Sequence, residues 1–206
     1  MIAIVDYDTG NLCSVCHALR RLGVQYVVTD NAEIIKAAEK VLLPGVGEAS
    51  SAMQKLRERG LCDVIKNLSQ PVLGICIGMQ LMCRRSDEGN AECLGIFDTE
   101  VKLFVADKAA GVKVPHMGWN GISNLKTPLL EGLREGEFLY FVHSFAPQMC
   151  DEAIAVSENG VQFAAALNKD NFYGTQFHPE KSGTIGEIIL RNFVEKCLMC
   201  STYKYI

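Results

Sequence analysis

A cysteine flanked by glycines, Cys76, follows an apolar run in the segment VLGICIGMQL at 72–81. Glycines at positions 74 and 78 would let a strand turn sharply into a helix, because residues without a Cβ relieve the crowding around the central residue. The Gly-x-Cys-x-Gly pattern predicts a nucleophile elbow with sulfur in place of the usual serine oxygen. A helix N-terminus just after the cysteine would favour the thiolate, the reactive form of the side chain. The competing interpretation is a core cysteine beside a glycine-rich turn.

A base for this thiol is predicted in the segment GTQFHPE at 174–180. The strand-like residues before His178 would deliver the imidazole to the end of a strand, and Pro179 favours extended geometry in the residue before it. Side chains two positions apart on an extended segment point the same way, so Glu180 can orient the imidazole. Cys76, His178 and Glu180 then form a nucleophile, a base and an orienting acid. Alone, a His-Pro-Glu string could equally be a surface turn.

The segment VLLPGVG at 41–47 predicts a binding site for a developing negative charge. Gly45 and Gly47 flank Val46 and would let that peptide turn its N–H toward an oxyanion, with the N–H of Ile77 as the second donor. The same freedom would allow the peptide to rotate away, which suggests a switch. A dinucleotide fingerprint is the alternative, but Ser50 replaces its third glycine and the segment follows the third strand rather than the first.

The elements that must position these residues alternate between apolar runs and helical patterns in the first third of the chain, as in a doubly wound α/β fold. The predicted strands are 2–6, 26–28, 40–43 and 72–75, and the predicted helices are 11–22, 32–38, 54–59 and 62–68. Continuous apolar strands are typical of a parallel sheet covered on both faces. Beyond a polar, loop-like stretch at 86–93, short strand patterns predict an antiparallel layer, and 185–197 predicts a closing amphipathic helix. We expect one α/β domain over 1–206, with a mostly parallel central sheet flanked by helices and a smaller antiparallel layer.

Composition restricts the classes of partner and the compartment. A net charge of −4 argues against a nucleic-acid-binding surface, and no apolar run is long enough to span a membrane. Nine cysteines, an odd number, with no signal peptide pattern at the start indicate a reducing, cytoplasmic location. The pairs Cys13/Cys16 and Cys197/Cys200 resemble halves of a zinc site, but both lie in helical patterns and favour core packing. We therefore expect no metal and no cofactor.

Three motifs together resemble the class I, triad-type glutamine amidotransferases: GICIGMQ at 74–80, HPE at 178–180 and PGVG at 44–47. The resemblance covers nearly the whole chain, with the motifs in the family's order. Met79 stands where many relatives have His. The strings DYDTGNLCSV at 6–15, PHMGWN at 115–120 and YFVHS at 140–144 are similar to the glutaminase subunits of imidazole glycerol phosphate synthases. Asp8 stands where that branch usually has glycine.

The resemblance implies hydrolysis of glutamine to glutamate and ammonia through a thioester on Cys76. It further implies that Gln80 holds the amino-acid end of glutamine, assisted by the backbone of His143, Ser144 and Phe145.

The resemblance also implies a heterodimer with a (β/α)₈ cyclase subunit, which we expect to dock near Trp119 and Asn120. Ammonia would pass to that subunit, which makes imidazole glycerol phosphate and aminoimidazole carboxamide ribotide in histidine biosynthesis. The closest alternative is an amidotransferase that feeds a different synthase. A non-catalytic interaction protein on the same fold, or another cysteine hydrolase, is a more distant one.

Overall fold

The computed structural model describes residues 1–8, 12–107, 109 and 112–198. The strands are β1 (Ile2–Val5), β2 (Tyr26–Thr29), β3 (Lys40–Gly45), β4 (Val72–Cys76), β5 (Arg85–Ser86), β6 (Ala91–Glu92), β7 (Glu100–Leu103), β8 (His116–Gly121), β9 (Phe138–His143), β10 (Phe145–Pro147), β11 (Ala153–Glu158), β12 (Gln162–Lys169) and β13 (Phe172–Thr175). The helices are α1 (Cys13–Arg21), α2 (Ala32–Ala37), α3 (Ala49–Glu58), α4 (Leu61–Lys66), α5 (Ile77–Leu81) and α6 (Gly183–Glu195).

A seven-stranded sheet in the order β11-β12-β13-β4-β3-β1-β2 forms the centre of the molecule. The five strands from β13 to β2 are parallel, and β11 and β12 continue the sheet in antiparallel pairing. Every residue of β1 and β4 is buried, as expected of strands covered on both faces. The predicted α/β fold with a mostly parallel sheet is confirmed, although two of the antiparallel strands extend that sheet rather than forming a separate layer.

The remaining strands form two smaller sheets. One has the order β10-β7-β5-β6, and the other is a two-stranded ribbon of β8 and β9. In the ribbon, His116 pairs with His143 and Trp119 pairs with Tyr140. Because side chains alternate along a strand, each strand has an inner face toward the protein and an outer face toward solvent.

Several details differ from the sequence-based expectations. The stretch 86–93 is not all loop, because β5 and β6 pair with each other and β5 also pairs with β7. These two-residue strands are held by backbone hydrogen bonds and carry no apolar pattern that a sequence could show. Helix α3 begins at Ala49, five residues before the predicted start, because the small side chains of Ala49 and Ala52 are buried as part of the helix. Strand β10 was not predicted.

No helix within the described residues has both the length and the apolar character needed to cross a membrane.

Candidate active site

Cys76 lies at the sharp turn where β4 ends and α5 begins. Its backbone has φ 53° and ψ −110°, a conformation that residues with a Cβ rarely adopt. A Cβ on Gly78 would lie 1.7 Å from the carbonyl oxygen of Leu43, and one on Gly74 would lie 2.7 Å from the Gly78 backbone. The predicted elbow is therefore confirmed, and glycine is required on both sides of the cysteine because the chain passes so close to its neighbours.

His178 follows β13, the parallel neighbour of β4, so its side chain lies at the same end of the sheet as Cys76. Its Nδ1 lies 2.7 Å from Oε1 of Glu180, and both side chains are almost completely buried. Burial opposes protonation of His178, but the Cys76 sulfur and the Glu180 carboxylate outweigh it and raise the pKa of the imidazole to about 9. Within the described part of the chain, Nε2 has no hydrogen-bond partner. This nitrogen is therefore available for proton transfer.

A cavity of about 340 Å³ brings together most of the residues singled out in the sequence, whereas Gly45, Glu180, Trp119 and Asn120 are not among its described lining residues. Its lining includes Val46, Gly47, Cys76, Ile77, Gln80, Pro115, His143, Ser144, Phe145, His178 and Lys181. This volume is at the small end of the range for ligand pockets in proteins. A larger groove of about 740 Å³ runs along residues 102–107 and 159–163, and the described residues that line it include no cysteine, serine or histidine. The chemistry therefore belongs to the smaller cavity.

The two glycines beside Val46 differ in their roles. Gly47 has φ 100°, a conformation that favours glycine, whereas Gly45 lies in β3 in register with Cys76. A Cβ on Gly45 would lie 2.4 Å from the Tyr7 hydroxyl and 3.0 Å from Cβ of Ile77. Gly45 is therefore needed for close packing against the elbow, and the expectation that both glycines permit rotation of the Val46 peptide stays a prediction.

Gln80 is fully buried at the cavity that Cys76 also lines, and its amide is held in one orientation. Nε2 donates to the Phe145 carbonyl at 2.9 Å and to Oε1 of Gln176 at 2.9 Å. Its Oε1 has no hydrogen-bond partner among the described residues. Because an amide nitrogen has two hydrogens and both are used, Gln80 can offer the cavity only an acceptor.

Gln176 is a site residue that sequence reasoning missed. Its Nε2 donates to the Cys76 sulfur at 3.7 Å while its Oε1 accepts from Gln80, and the side chain is completely buried. The available signal was its position two residues before His178 on an extended segment, which directs both side chains the same way. Residues 76 and 176 are too far apart in sequence for spacing to have shown the contact.

Comparison with known proteins identifies the family. The model for class-I glutamine amidotransferases matches residues 3–197. This chain belongs to that family. The imidazole glycerol phosphate synthase subunit HisH of Bacteroides thetaiotaomicron is 56% identical over 194 residues, which cover 94% of this chain and 98% of that protein. The corresponding subunit of Shewanella loihica is 46% identical over 202 residues, which cover 93% and 89%.

These relatives place the chain in the imidazole glycerol phosphate synthase branch of the glutamine amidotransferases, as the sequence motifs predicted. A solved structure from Thermoplasma acidophilum, described as one candidate component of a GMP synthase, superimposes with a TM-score of 0.74. It covers 95% of this chain and 92% of its own, but at 22% identity it supports the amidotransferase fold alone.

Of the two residues expected near the partner, Trp119 lies on the outer face of the ribbon and Asn120 does not. Met117, Trp119 and Phe138 are 67%, 55% and 59% exposed, and half-buried Tyr140 packs edge-on against Trp119. We call these four residues the outer ribbon face. The Asn120 amide lies on the inner side instead, where Nδ2 donates to the Glu158 carbonyl at 2.8 Å. Because side chains alternate along a strand, Trp119 and Asn120 lie on opposite faces of the ribbon, although both were expected at one docking surface.

The remaining cysteines that the structure describes do not form a second site. Cys13 is exposed, so the expectation that it packs in the core is wrong, and Cys197 lies beyond the end of α6 rather than within a helix. Cys200 falls outside the described residues. Burial raises the pKa of the Cys83 thiol well above its usual value and raises that of Cys93 to about 11, so both thiols are poorly reactive. Within the described residues, no group of three or more His, Cys, Asp or Glu side chains could hold a metal ion.

Proposed function

We propose that this glutamine amidotransferase hydrolyses glutamine at Cys76 and passes the ammonia to a (β/α)₈ cyclase subunit in histidine biosynthesis. One observation carries the proposal: a strained cysteine, an oriented histidine and an amide with a free acceptor line one cavity of about 340 Å³. A core cysteine or a non-catalytic surface would not need this combination. The cytoplasm is the compartment that suits the eight free cysteines found among the described residues.

The first chemical step is attack of the Cys76 thiolate on the side-chain carbonyl carbon of glutamine. The carbonyl oxygen becomes an oxyanion, for which the backbone N–H groups of Ile77 and Val46 are the proposed donors. Because its pKa is about 9, His178 is already protonated at pH 7 and can give its Nε2 proton to the departing nitrogen. The carbon–nitrogen bond breaks, and ammonia and a γ-glutamyl thioester on Cys76 result.

The second step releases glutamate and restores the enzyme. His178, now neutral, takes a proton from water while the water oxygen attacks the thioester carbonyl carbon. The carbon–sulfur bond then breaks, which gives glutamate and the Cys76 thiolate beside a protonated His178. Glu180, 2.7 Å from Nδ1, holds the ring in place and stabilises its positive charge through both steps.

Substrate recognition follows from the orientation of Gln80. Its Oε1 is the one buried acceptor of that side chain left without a partner in the described structure, and the Gln80 side chain lines a cavity that must admit an amino acid. We propose that it accepts a hydrogen bond from the α-ammonium group of glutamine. The Phe145 carbonyl already accepts two hydrogen bonds, so its part is to hold Gln80 rather than to bind substrate.

The outer ribbon face is the proposed docking surface for the cyclase. Three large apolar side chains that are more than half exposed form a compact group on one strand pair, and the same ribbon lines the cavity through His143. Exposed clusters of this kind commonly mark protein interfaces, and Trp and Tyr are common energetic anchors there. A partner bound at this face would lie close to the source of ammonia.

The proposal can be tested with Cys76→Ala in complex with the cyclase from the same organism. We expect synthesis from glutamine to be lost while synthesis from added ammonium salt continues, because the cyclase remains intact. A reactive glutamine analogue such as 6-diazo-5-oxo-L-norleucine should label the unmodified chain at Cys76 and leave the variant unlabelled. Absence of labelling in the intact complex would contradict the catalytic assignment.

The identity of the partner is a separate outcome of the same experiment. If the chain hydrolyses glutamine but does not co-purify with the cyclase or support its glutamine-dependent synthesis, the ammonia serves a different synthase. That result would keep the glutaminase assignment and reject the histidine-pathway assignment.

A further inference from the structure

A line of hydrogen bonds runs beneath the ribbon from the Glu158 carbonyl to the Phe145 carbonyl. Nδ2 of Asn120 lies 2.8 Å from the Glu158 oxygen and 3.1 Å from Nε2 of His116. Nδ1 of His116 lies 3.0 Å from Nε2 of His143, whose Nδ1 lies 2.8 Å from the Phe145 oxygen. The proposed reaction uses neither imidazole, so the presence of His143 in the cavity lining, with His116 hydrogen-bonded to it, needs another explanation.

The carbonyl at the cavity end of the line decides where the proton of His143 lies. The Phe145 oxygen can only accept, so Nδ1 of His143 must carry a hydrogen. Burial lowers the pKa of His143 to about 3, and the ring is therefore neutral at pH 7. Its Nε2 then has no hydrogen and must accept.

The hydrogen positions on His116 and Asn120 follow in the same way. Nδ1 of His116 must donate to His143, and because burial lowers the pKa of His116 as well, its Nε2 must accept from the Asn120 amide. The second amide hydrogen of Asn120 goes to the Glu158 carbonyl, and its Oδ1 accepts from the Gly121 N–H at 2.8 Å. Every member of the line thus has one possible hydrogen arrangement.

The line ends on the carbonyl that orients Gln80. The Phe145 oxygen accepts from His143 and from Nε2 of Gln80, while the second hydrogen of Gln80 goes to Gln176. Turning the Gln80 amide over would place its oxygen against two other oxygens, so only one orientation is stable. With His143 in the other tautomer, a lone pair of Nδ1 would face the Phe145 oxygen, and the repulsion would displace the carbonyl that Gln80 needs.

We propose that His116 and His143 are positioning residues, a neutral imidazole pair in a single tautomer that fixes Gln80 with its acceptor toward the α-ammonium group of glutamine. Their role would then be seen in the binding of glutamine more than in the chemical step. This inference rests on the proposed glutaminase function for its kinetic test, but not for its spectroscopic one.

The kinetic test compares two amide replacements of His143 in the intact complex with the cyclase. In His143→Asn the amide nitrogen occupies the place of Nδ1 and can still donate to the Phe145 carbonyl. In His143→Gln the amide lies at the place of Nε2, and that donor is lost. We expect the KM for glutamine to rise about tenfold more in His143→Gln than in His143→Asn, with kcat differing by less than about threefold between them. His17→Asn changes an exposed histidine outside the line and serves as the control without effect.

The spectroscopic test needs no variant and no activity. Nitrogen-15 NMR of the unmodified chain, labelled at its four histidines, distinguishes a protonated from an unprotonated ring nitrogen. At pH 7 we expect His116 and His143 to be neutral and protonated at Nδ1, whereas His178 should carry hydrogens on both nitrogens.

Two results would overturn the proposal: a His143 ring protonated at Nε2, or equal KM values in the two amide variants. If the complex lacked glutaminase activity altogether, the proposed function would fail, and the nitrogen-15 spectrum would still decide the tautomers. If a variant failed to fold, the spectrum of the unmodified chain would decide the question alone.

Discussion

Two buried histidines 35 positions apart in this chain, His143 and His178, have opposite electrostatic surroundings. Their exposed fractions are 7% and 2%, so burial alone does not distinguish them. His178 faces a carboxylate and a thiol, which raise its pKa to about 9, whereas His143 faces a carbonyl and another neutral imidazole, and burial lowers its pKa to about 3. The comparison shows that burial removes charge from an imidazole unless an anion is built beside it. The molecule places charge where a proton must move and neutral groups where a side chain must be held.

Glu180→Gln should have the largest effect, because it removes one of the two groups, with the Cys76 sulfur, that keep His178 charged. We expect kcat/KM for glutamine to fall by about 10³–10⁴, since the imidazolium formed in the reaction loses its stabilising partner. The pKa of His178 should fall from about 9, because burial then acts with less opposition. A pH titration of the His178 ring by NMR, together with glutaminase kinetics, measures both. An unchanged pKa would show that the Cys76 sulfur alone sustains the charge.

The contact between His178 and Glu180 also makes the free energy of unfolding depend on pH. The pKa of His178 is raised above its usual value of 6.5, so the stabilisation is complete below about pH 6.5 and is lost as the pH rises through 9. The advantage of the unmodified chain over Glu180→Gln in urea unfolding should therefore shrink between those values.

Trp119→Ala tests whether the outer ribbon face is independent of the hydrogen-bonded histidines, His116 and His143, on the inner face of the ribbon. We expect affinity for the cyclase to fall by about 30-fold or more, equivalent to about 2 kcal/mol, because the side chain is a large exposed aromatic. The tautomers of His116 and His143 should not change. Calorimetric titration of the two subunits measures the first expectation and nitrogen-15 NMR the second. An altered His143 tautomer would show that the two faces are coupled through the ribbon backbone.

The histidine pair itself should make the unmodified chain sensitive to acid. Because the pKa of His143 is lowered to about 3, stability is complete above pH 6.5 and is lost as the pH falls from 6.5 toward 3. The slope for one proton is about 1.4 kcal/mol per pH unit, which gives about 2 kcal/mol by pH 5. His143→Asn cannot bind this proton, so its urea midpoint should change less over the same interval. Parallel curves for the two proteins would place His143 in a solvated or charged environment instead.

The contrast between these regions also explains what the sequence could predict. Cys76 and its flanking glycines, and His178 with Glu180, are local patterns whose geometry follows from a few neighbouring backbone angles. The pairing of His116 with His143 depends on the register of two strands, and the contact of Gln176 with Cys76 joins residues 100 positions apart. Such contacts follow from the assembled sheet, and a single sequence carries no spacing that encodes them. Asn120 shows the same limit, because strand alternation turned its side chain away from the expected surface.

The smallest effect is expected at Ser182, which joins the ribbon to His178, the proposed catalytic histidine. Its buried hydroxyl donates to the His178 carbonyl at 2.7 Å and accepts from the Tyr140 N–H at 3.0 Å. Ser182→Ala should cost about 1 kcal/mol in urea unfolding, since the Tyr140 N–H loses its acceptor. Because the His178 N–H still donates to the Tyr140 carbonyl at 2.9 Å, the imidazole should remain near Cys76, and kcat should fall only a few-fold.

Ser51→Ala, an exposed serine in α3, is the matched control and should leave both stability and activity unchanged. If Ser182→Ala instead lowered kcat as much as Glu180→Gln, the ribbon could not be a separate positioning element. The position of His178 would then depend on this hydroxyl as strongly as its charge depends on Glu180. The positions of His143 and His178 would then be coupled through the ribbon, whose solvent-exposed side is the outer ribbon face.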